Sequence, residues 1–235
     1  MAVFPPLARV GQAILDVLFP PRCAACGAYG AFLCGGCREE LPRALPPRCP
    51  ICWQSQPQGS LCHRCREERP AFEEARSPYV YEGPARELVH ALKYNLLSAL
   101  APPMAQLMAD HLGEEGMEAD LVAPVPLYGR RQRVRGYNQS ALLAREISRL
   151  AGLPLAERAL RRRRDTPPQA RTADAEARRR NVAEAFAADP RRVKGRRVLV
   201  IDDVMTTGAT LDACARALRQ AGAASVCALT FARED

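Results

Sequence analysis

Residues 198–210, VLVIDDVMTTGAT, constrain the fold of this chain more than any other stretch. Val198, Leu199, Val200 and Ile201 form the continuous apolar run that a strand buried on both faces requires. A polar turn is expected over 202–209, then a helix over 210–221 stopped by Gly222, then a second strand over 225–231. Two strands joined through a helix lie parallel, so this unit demands an α/β sheet that binds ligands at the carboxyl ends of its strands.

The residues after the apolar run carry acceptors and then donors. Asp202 and Asp203 stand where the buried strand ends, which is expected to turn their carboxylates toward solvent, as acceptors for two adjacent hydroxyls. Thr206, Thr207, Gly208, Ala209 and Thr210 fill the turn into the helix. Backbone amides at a helix start lack intrahelical acceptors and sit at the positive end of the dipole, so they attract phosphate. The threonine hydroxyls add donors, and Gly208 lets the backbone approach a ligand closely.

Upstream, strand and helix signals alternate from Tyr79 onward. A helix is expected at about 84–95 with Leu88, Val89 and Leu92, a strand at 120–126, and a helix at 138–151 that begins at Asn138 and ends before Gly152. Residues 124–140, PVPLYGRRQRVRGYNQS, read as a strand broken by Pro124 and Pro126, then Arg130, Arg131, Arg133 and Arg135, then the helix start. Guanidiniums beside free amides suit a pyrophosphate, and an arginine cluster on a surface turn is the alternative. Residues from about 160 to 182 hold two adjacent prolines and almost nothing apolar, the composition of a mobile loop or hood over a site.

The formal charge is +8, and residues 157–197 alone hold 14 Lys+Arg against 6 Asp+Glu, so the excess is local. Such a segment suits the phosphates of a small ligand or a nucleic-acid backbone, or is a solvated arginine-rich surface. No apolar run approaches the roughly 20 residues of a membrane span, and the N-terminus lacks a basic region followed by an unbroken apolar one. A cytoplasmic protein is expected.

Eight of the ten cysteines fall in the first 65 residues. Cys23, Cys26, Cys34 and Cys37 are spaced Cys-x2-Cys-x7-Cys-x2-Cys, and Cys49, Cys52, Cys62 and Cys65 are spaced Cys-x2-Cys-x9-Cys-x2-Cys. Paired thiolates of this kind supply two tetrahedral Zn2+ sites with no open position for water, hence structural rather than catalytic. Pairing in sequence order makes a double zinc ribbon, and a cross-braced pairing also satisfies the chemistry. His63 is not expected to be a ligand, Cys214 and Cys227 read as buried small hydrophobes, and His90 and His111 read as structural or surface residues. The chain therefore divides into a short amphipathic helix and cysteine module over 1–72 and an α/β domain over 73–235.

Residues 198–210 resemble the signature of type I phosphoribosyltransferases, an apolar strand followed by two acids and a Thr-Gly-x-Thr cradle. Residues 124–140, Leu92-Lys93-Tyr94, and the spaced Arg163, Thr166, Gln169, Arg178, Asn181 and Phe186 are similar to the ComF/GntX-like competence-type members, with Arg171-Thr172 where relatives carry leucine as a minor hood variation. The resemblance spans nearly the whole chain and implies a type I phosphoribosyltransferase fold, a parallel sheet flanked by helices, with an N-terminal double zinc ribbon. It implies 5-phosphoribosyl-1-pyrophosphate (PRPP) with Mg2+ as the donor. Asp202 and Asp203 would act on the ribose 2- and 3-hydroxyls and in catalysis, and residues 206–210 would hold the 5-phosphate. Pro126, Leu127, Arg130, Arg131 and Arg135, with Lys93, would meet the pyrophosphate. Thr206 stands where hypoxanthine-guanine enzymes carry an aspartate base, which speaks against a 6-oxopurine acceptor and leaves the acceptor unnamed. The family's association with natural transformation implies single-stranded DNA and DNA-uptake proteins as partners. The alternative implied is a non-catalytic single-stranded-DNA-handling accessory protein that keeps the PRPP-binding fold.

Overall fold

The computed structural model describes residues 20–95, 97–127, 135–163 and 185–235. Residues 1–19 of the expected N-terminal helix, Arg130, Arg131 and Arg133 of the arginine segment, and Thr166, Gln169, Arg171, Thr172, Arg178 and Asn181 of the expected hood lie outside these residues. The cysteine-rich part carries two short helices, α1 (Gly35–Glu39) and α2 (His63–Glu67). There follow β1 (Glu74–Arg76), β2 (Tyr79–Val80), α3 (Gly83–Tyr94), α4 (Ala101–Glu115), β3 (Leu121–Pro124), α5 (Gln139–Ala151), β4 (Leu160–Arg162), β5 (Phe186–Ala188), α6 (Pro190–Val193), β6 (Arg197–Met205), α7 (Ala209–Gln220) and β7 (Ser225–Arg233).

β6 lies between β3 and β7 and is parallel to both, and β1 and β2 pair in succession along the far edge of β7. A parallel sheet is covered on both faces, and the period-2 alternation of the strands divides the two cores. Leu199, Ile201, Leu229 and Phe231 pack with Leu88 and Leu92 of α3, Met104 and Met108 of α4, and Leu143 and Ile147 of α5. Val198, Val200, Val226 and Ala228 pack with Leu211, Cys214 and Leu218 of α7. α5 has the expected caps: the Asn138 side chain accepts from the Ser140 amide at 3.1 Å, and Gly152 closes the helix at φ +66°.

Three expectations need correction. The turn placed over 202–209 starts later, because β6 stays paired with β7 through Asp202↔Thr230, Val204↔Ala232 and Met205↔Arg233. Asp202 and Asp203 are therefore strand residues, and Asp203 is buried instead of facing solvent. The loop or hood expected from about 160 also starts later, because Leu160–Arg162 pair antiparallel with Phe186–Ala188 and this β4–β5 pair packs on α7 with Phe186 buried.

The cysteines pair in sequence order. The sulfurs of Cys23, Cys26, Cys34 and Cys37 lie within 4.8 Å of one another, and so do those of Cys49, Cys52, Cys62 and Cys65. The first cluster sits at the surface beside α4, with Cys26 exposed. All four cysteines of the second are buried in the same core as α7. This second knuckle is tied to the sheet: Ala75 donates its amide to Ile51 O at 2.7 Å, and Arg48 reaches both carboxylate oxygens of Asp235 at 2.8 and 2.9 Å. Cys214 and Cys227 are buried as expected. His111 is buried too, against Trp53 and 3.6 Å from Glu114, which bears out the structural reading. Among the described residues no helix is long and apolar enough to cross a membrane.

Candidate functional site

Because side chains alternate along β6, Asp203 emerges on the same face as Leu199 and Ile201, where α3 ends. Lys93, in the last turn of α3, meets Asp203 there, Nζ to Oδ1 at 2.7 Å. Asp203 Oδ2 is buried with no hydrogen-bond partner among the described residues. An orphaned, buried carboxylate oxygen is costly unless something docks on it. Asp202 Oδ1 accepts from Ser140 Oγ at 2.7 Å and from the Asp203 amide at 2.9 Å. Burial, and after it the adjacent charge of Asp203, raise the Asp202 pKa to about 7 against the opposing pull of Ser140 and Lys93. Burial disfavours the Lys93 charge, yet Asp203 and then Asp202 outweigh it and hold its pKa above the ordinary lysine value. Above about pH 7, where Asp202 is ionised as well, two acids and one lysine leave one negative charge in excess, which favours a cationic or hydroxyl-rich guest.

β6 ends at Met205, and Thr206 and Thr207 are exposed on the turn that follows. Gly208 caps α7 at φ +75°, and a Cβ placed there would lie 2.6 Å from Met205 Cε. The left-handed backbone favours glycine here, and a larger residue would also have to displace the flexible end of Met205. The chain turns directly into the start of α7, where Thr207 and Thr210 are exposed and the first-turn amides lack intrahelical acceptors. Thr207 Oγ1 accepts from the Ala209 amide at 3.4 Å.

Of the expected pyrophosphate contacts, Pro126 and Leu127 lie at the carboxyl end of β3 and line a cavity of about 650 Å3 with Tyr137, Asn138, Arg158 and Arg161. Arg135 donates to Gln139 Oε1 at 2.6 Å and lies over the Tyr94 ring at 5.2 Å. The segment is anchored from two sides, by Tyr137 OH donating to Leu92 O at 2.6 Å and Asn138 Nδ2 donating to Val125 O at 2.9 Å. Lys93, expected on a phosphate, is instead engaged with Asp203, because Asp203 is buried and needs a counter-charge.

Both cysteine clusters fit zinc. Tetrahedral thiolates about 2.3 Å from the ion lie about 3.8 Å apart, and Cys26–Cys34 and Cys52–Cys62 sulfurs are separated by 3.7 and 3.5 Å. Burial, and then the neighbouring sulfurs, push the Cys37 and Cys65 thiols up, so four thiolates at this spacing need a cation among them. Backbone amides of Cys37 and Cys65 point at Cys34 and Cys62 sulfurs at 3.5 and 3.4 Å. His63 is exposed and pairs with Glu67 at 3.2 Å, away from the cluster.

A family model described as a phosphoribosyl transferase domain matches residues 138–234, and one described as a double zinc ribbon domain matches residues 14–66. The chain is 32% identical over 216 residues to the DNA utilization protein YhgH of Salmonella typhimurium, covering 88% of this chain and 94% of that one. It belongs to the ComF-like phosphoribosyltransferase family. The YhgH protein of Escherichia coli O157:H7 is 35% identical over 151 residues, spanning 62% of this chain and 66% of that one. The Competence protein F of Haemophilus influenzae is 40% identical over 105 residues, 44% of this chain and 45% of that one. The fold is accordingly the type I phosphoribosyltransferase sheet with helices on both faces, joined to a double zinc ribbon.

Sequence reasoning missed three members of this ComF-like site. Ser140 is the hydroxyl that holds Asp202, and its signal is a serine in the first turn of a helix that starts beside the carboxyl end of β3. Tyr137 fixes the end of α3 through a backbone carbonyl, which no local pattern announces. Phe72, from the end of the cysteine module, packs beside Gly208, with its Cζ 3.9 Å from where a Cβ would stand.

Proposed function

We propose that this ComF-like protein binds PRPP and transfers its phosphoribosyl group to an acceptor, with Asp202 and Asp203 on the ribose 2- and 3-hydroxyls and the loop Thr206, Thr207, Gly208, Ala209 and Thr210 on the 5-phosphate. The observation that carries the reading is the adjacent acid pair at the end of the central strand, one oxygen of it buried and unpartnered, immediately followed by a phosphate-shaped helix start. Pro126, Leu127, Arg130, Arg131 and Arg135 would accompany the pyrophosphate. The net negative charge of the acid pair and the free Asp203 Oδ2 fit a divalent cation nearby. Mg2+ delivered with PRPP would supply charge neutralisation of the departing pyrophosphate.

In the reaction the C1–oxygen bond to pyrophosphate breaks, the acceptor gives an electron pair to C1, and its proton leaves to solvent or base. The chain's own contribution is positioning and charge. Asp202 and Asp203 orient the ribose and lie near the positive charge that develops at C1, Ser140 fixes the Asp202 carboxylate, and Lys93 pairs with Asp203.

The names of the relatives, DNA utilization protein and Competence protein F, support a role connected with DNA and competence; the proposal places it in the cytoplasm, with single-stranded DNA and DNA-uptake proteins as partners. A binding role alone is the second reading, supported by the exposed Arg158, Arg161 and Arg163 at the edge of the basic stretch. Backbone contacts would carry it, since Phe186 is buried. The residue ranges 1–72 for the ribbon and 73–235 for the transferase domain are part of the same proposal. Pyrophosphate release from PRPP and Mg2+ is measured with ribonucleotide bases, nucleosides and single-stranded oligonucleotides as acceptors. Acceptor-dependent release supports transfer; steeply salt-dependent oligonucleotide binding with no release in any mixture overturns it in favour of binding.

A further inference from the structure

The two cysteine clusters stand in different relations to the phosphate loop. The first packs Ala24, Phe32 and Leu33 against the core of the opposite sheet face, the one that holds α3, α4 and α5, and adds exposed ion pairs to α4, Arg38 to Asp110 at 3.9 Å and Arg43 to Glu114 at 3.2 Å. Pairs of that kind contribute little. The second forms the floor behind the loop. Cys52, Arg64, Cys65, Phe72, Thr207 and Gly208 line one small cavity of about 30 Å3, room for roughly one water.

Three further contacts join the same parts. The Ala71 amide donates to Asp212 Oδ1, in the first turn of α7, at 2.7 Å. Asp212 is itself fixed by Arg216 Nε at 3.0 Å, and Arg216 reaches back to Glu68 at 3.5 Å. Phe72 packs at Gly208, where the left-handed backbone sets the direction of α7. Cys49, Cys52, Cys62, Cys65 and Phe72 also share one core with Met205, Leu211 and Cys214, whereas no cysteine of the first cluster belongs to it. A five-residue helix and a few turns have too little apolar surface to hold this floor without the metal.

We propose that the second zinc centre is a working part of the phosphate site: with zinc on Cys49, Cys52, Cys62 and Cys65 it presses Ala71 and Phe72 against the loop 206–210 and sets the loop's affinity for a phosphomonoester, while the first centre does not. Phe72 is a positioning residue that acts through Gly208. The affinity clause rests on the phosphate reading above; the coupling of metal and loop stands on its own contacts. Linkage makes the effect reciprocal, so a bound phosphomonoester raises the zinc affinity of the second centre by the same factor by which that zinc raises ligand affinity.

The test uses the full chain with both zincs bound and ribose 5-phosphate as the probe. Zinc release to a colorimetric chelator is followed with and without the probe, and amide hydrogen exchange is followed over peptides spanning 206–210. The expected result is that, at saturating probe, one zinc of the two needs about tenfold more chelator for half-release. Exchange over 206–210 rises when the second zinc leaves and stays unchanged in Cys26→Ser, which empties the first centre. Phe72→Leu, a substitution that keeps the core apolar, lowers probe affinity and raises exchange over 206–210 with both zincs retained, and Phe72→Tyr restores both. Exchange over 206–210 that ignores the second zinc, or follows both zincs equally, overturns the coupling. Failure of the wild type to bind ribose 5-phosphate at all, with exchange still following the second zinc, overturns the phosphate reading and the affinity clause instead.

Discussion

Replacing Asp202 by asparagine should stabilise the free protein, by an amount that grows with pH. Burial and the neighbouring Asp203 raise the Asp202 pKa from an ordinary 3.8 to about 7. The folded chain therefore keeps a proton that the unfolded chain has released. The stability is fully present below about pH 4 and is lost as the pH rises through 7, in a step that belongs to the Asp202–Asp203 pair as a whole. Integrating over the shift gives a penalty of roughly 2 kcal/mol at pH 5 and roughly 4 kcal/mol at pH 8. Asparagine carries no charge at either pH, and its carbonyl can still accept from Ser140 Oγ and the Asp203 amide. The stability difference between variant and wild type should thus widen by roughly 2 to 3 kcal/mol between pH 5 and pH 8, or roughly 5 to 10 °C in Tm for a chain of this size. Urea and thermal denaturation of both proteins at both pH values measure it, and titrations common to the two chains cancel. A difference that does not change with pH, or an asparagine variant less stable at pH 8, would refute the electrostatic account of the acid pair.

Two other substitutions test neighbouring parts of the same geometry. Gly208→Ala forces a side chain onto a φ of +75° and toward Met205 Cε, and should cost about 1 to 2 kcal/mol in urea denaturation while weakening phosphomonoester binding at least about tenfold; unchanged stability and binding would show that the left-handed turn is dispensable. Lys93→Met removes the counter-charge from buried Asp203 and should cost about 3 kcal/mol at pH 8 and distinctly less at pH 5, where Asp202 holds a proton and the acid pair carries one negative charge fewer; an equal loss at both pH values would argue that Lys93 matters only for packing.

Local chemistry was legible in the sequence wherever one segment decides its own structure. The VLVI run, the caps Asn138 and Gly152, and the two sets of four cysteines are each set within about a dozen residues, and each stands in the structure as read. What escaped depends on partners far along the chain. The strand continues through Asp202 and Asp203 because β7 pairs with it as far as Arg233, so two acids that read as solvated are held in place by the ladder. Ser77 and Thr230 likewise bury a hydroxyl pair at 2.6 Å, 153 residues apart, where either residue alone suggests a loop. Lys93 read as a phosphate contact because a basic residue near a phosphate loop suggests one; the buried Asp203 claims it instead.

The central claim is that the acid pair and the loop after it are a ribose-phosphate clamp. Calorimetric titration of PRPP with Mg2+ into the wild type and into the double variant Asp202→Asn, Asp203→Asn tests it most directly. Binding by the wild type and a loss of at least about a hundredfold in the variant, as expected when charged hydrogen bonds to two ligand hydroxyls are removed, is the predicted result. Equal affinity of the two proteins for PRPP would contradict it.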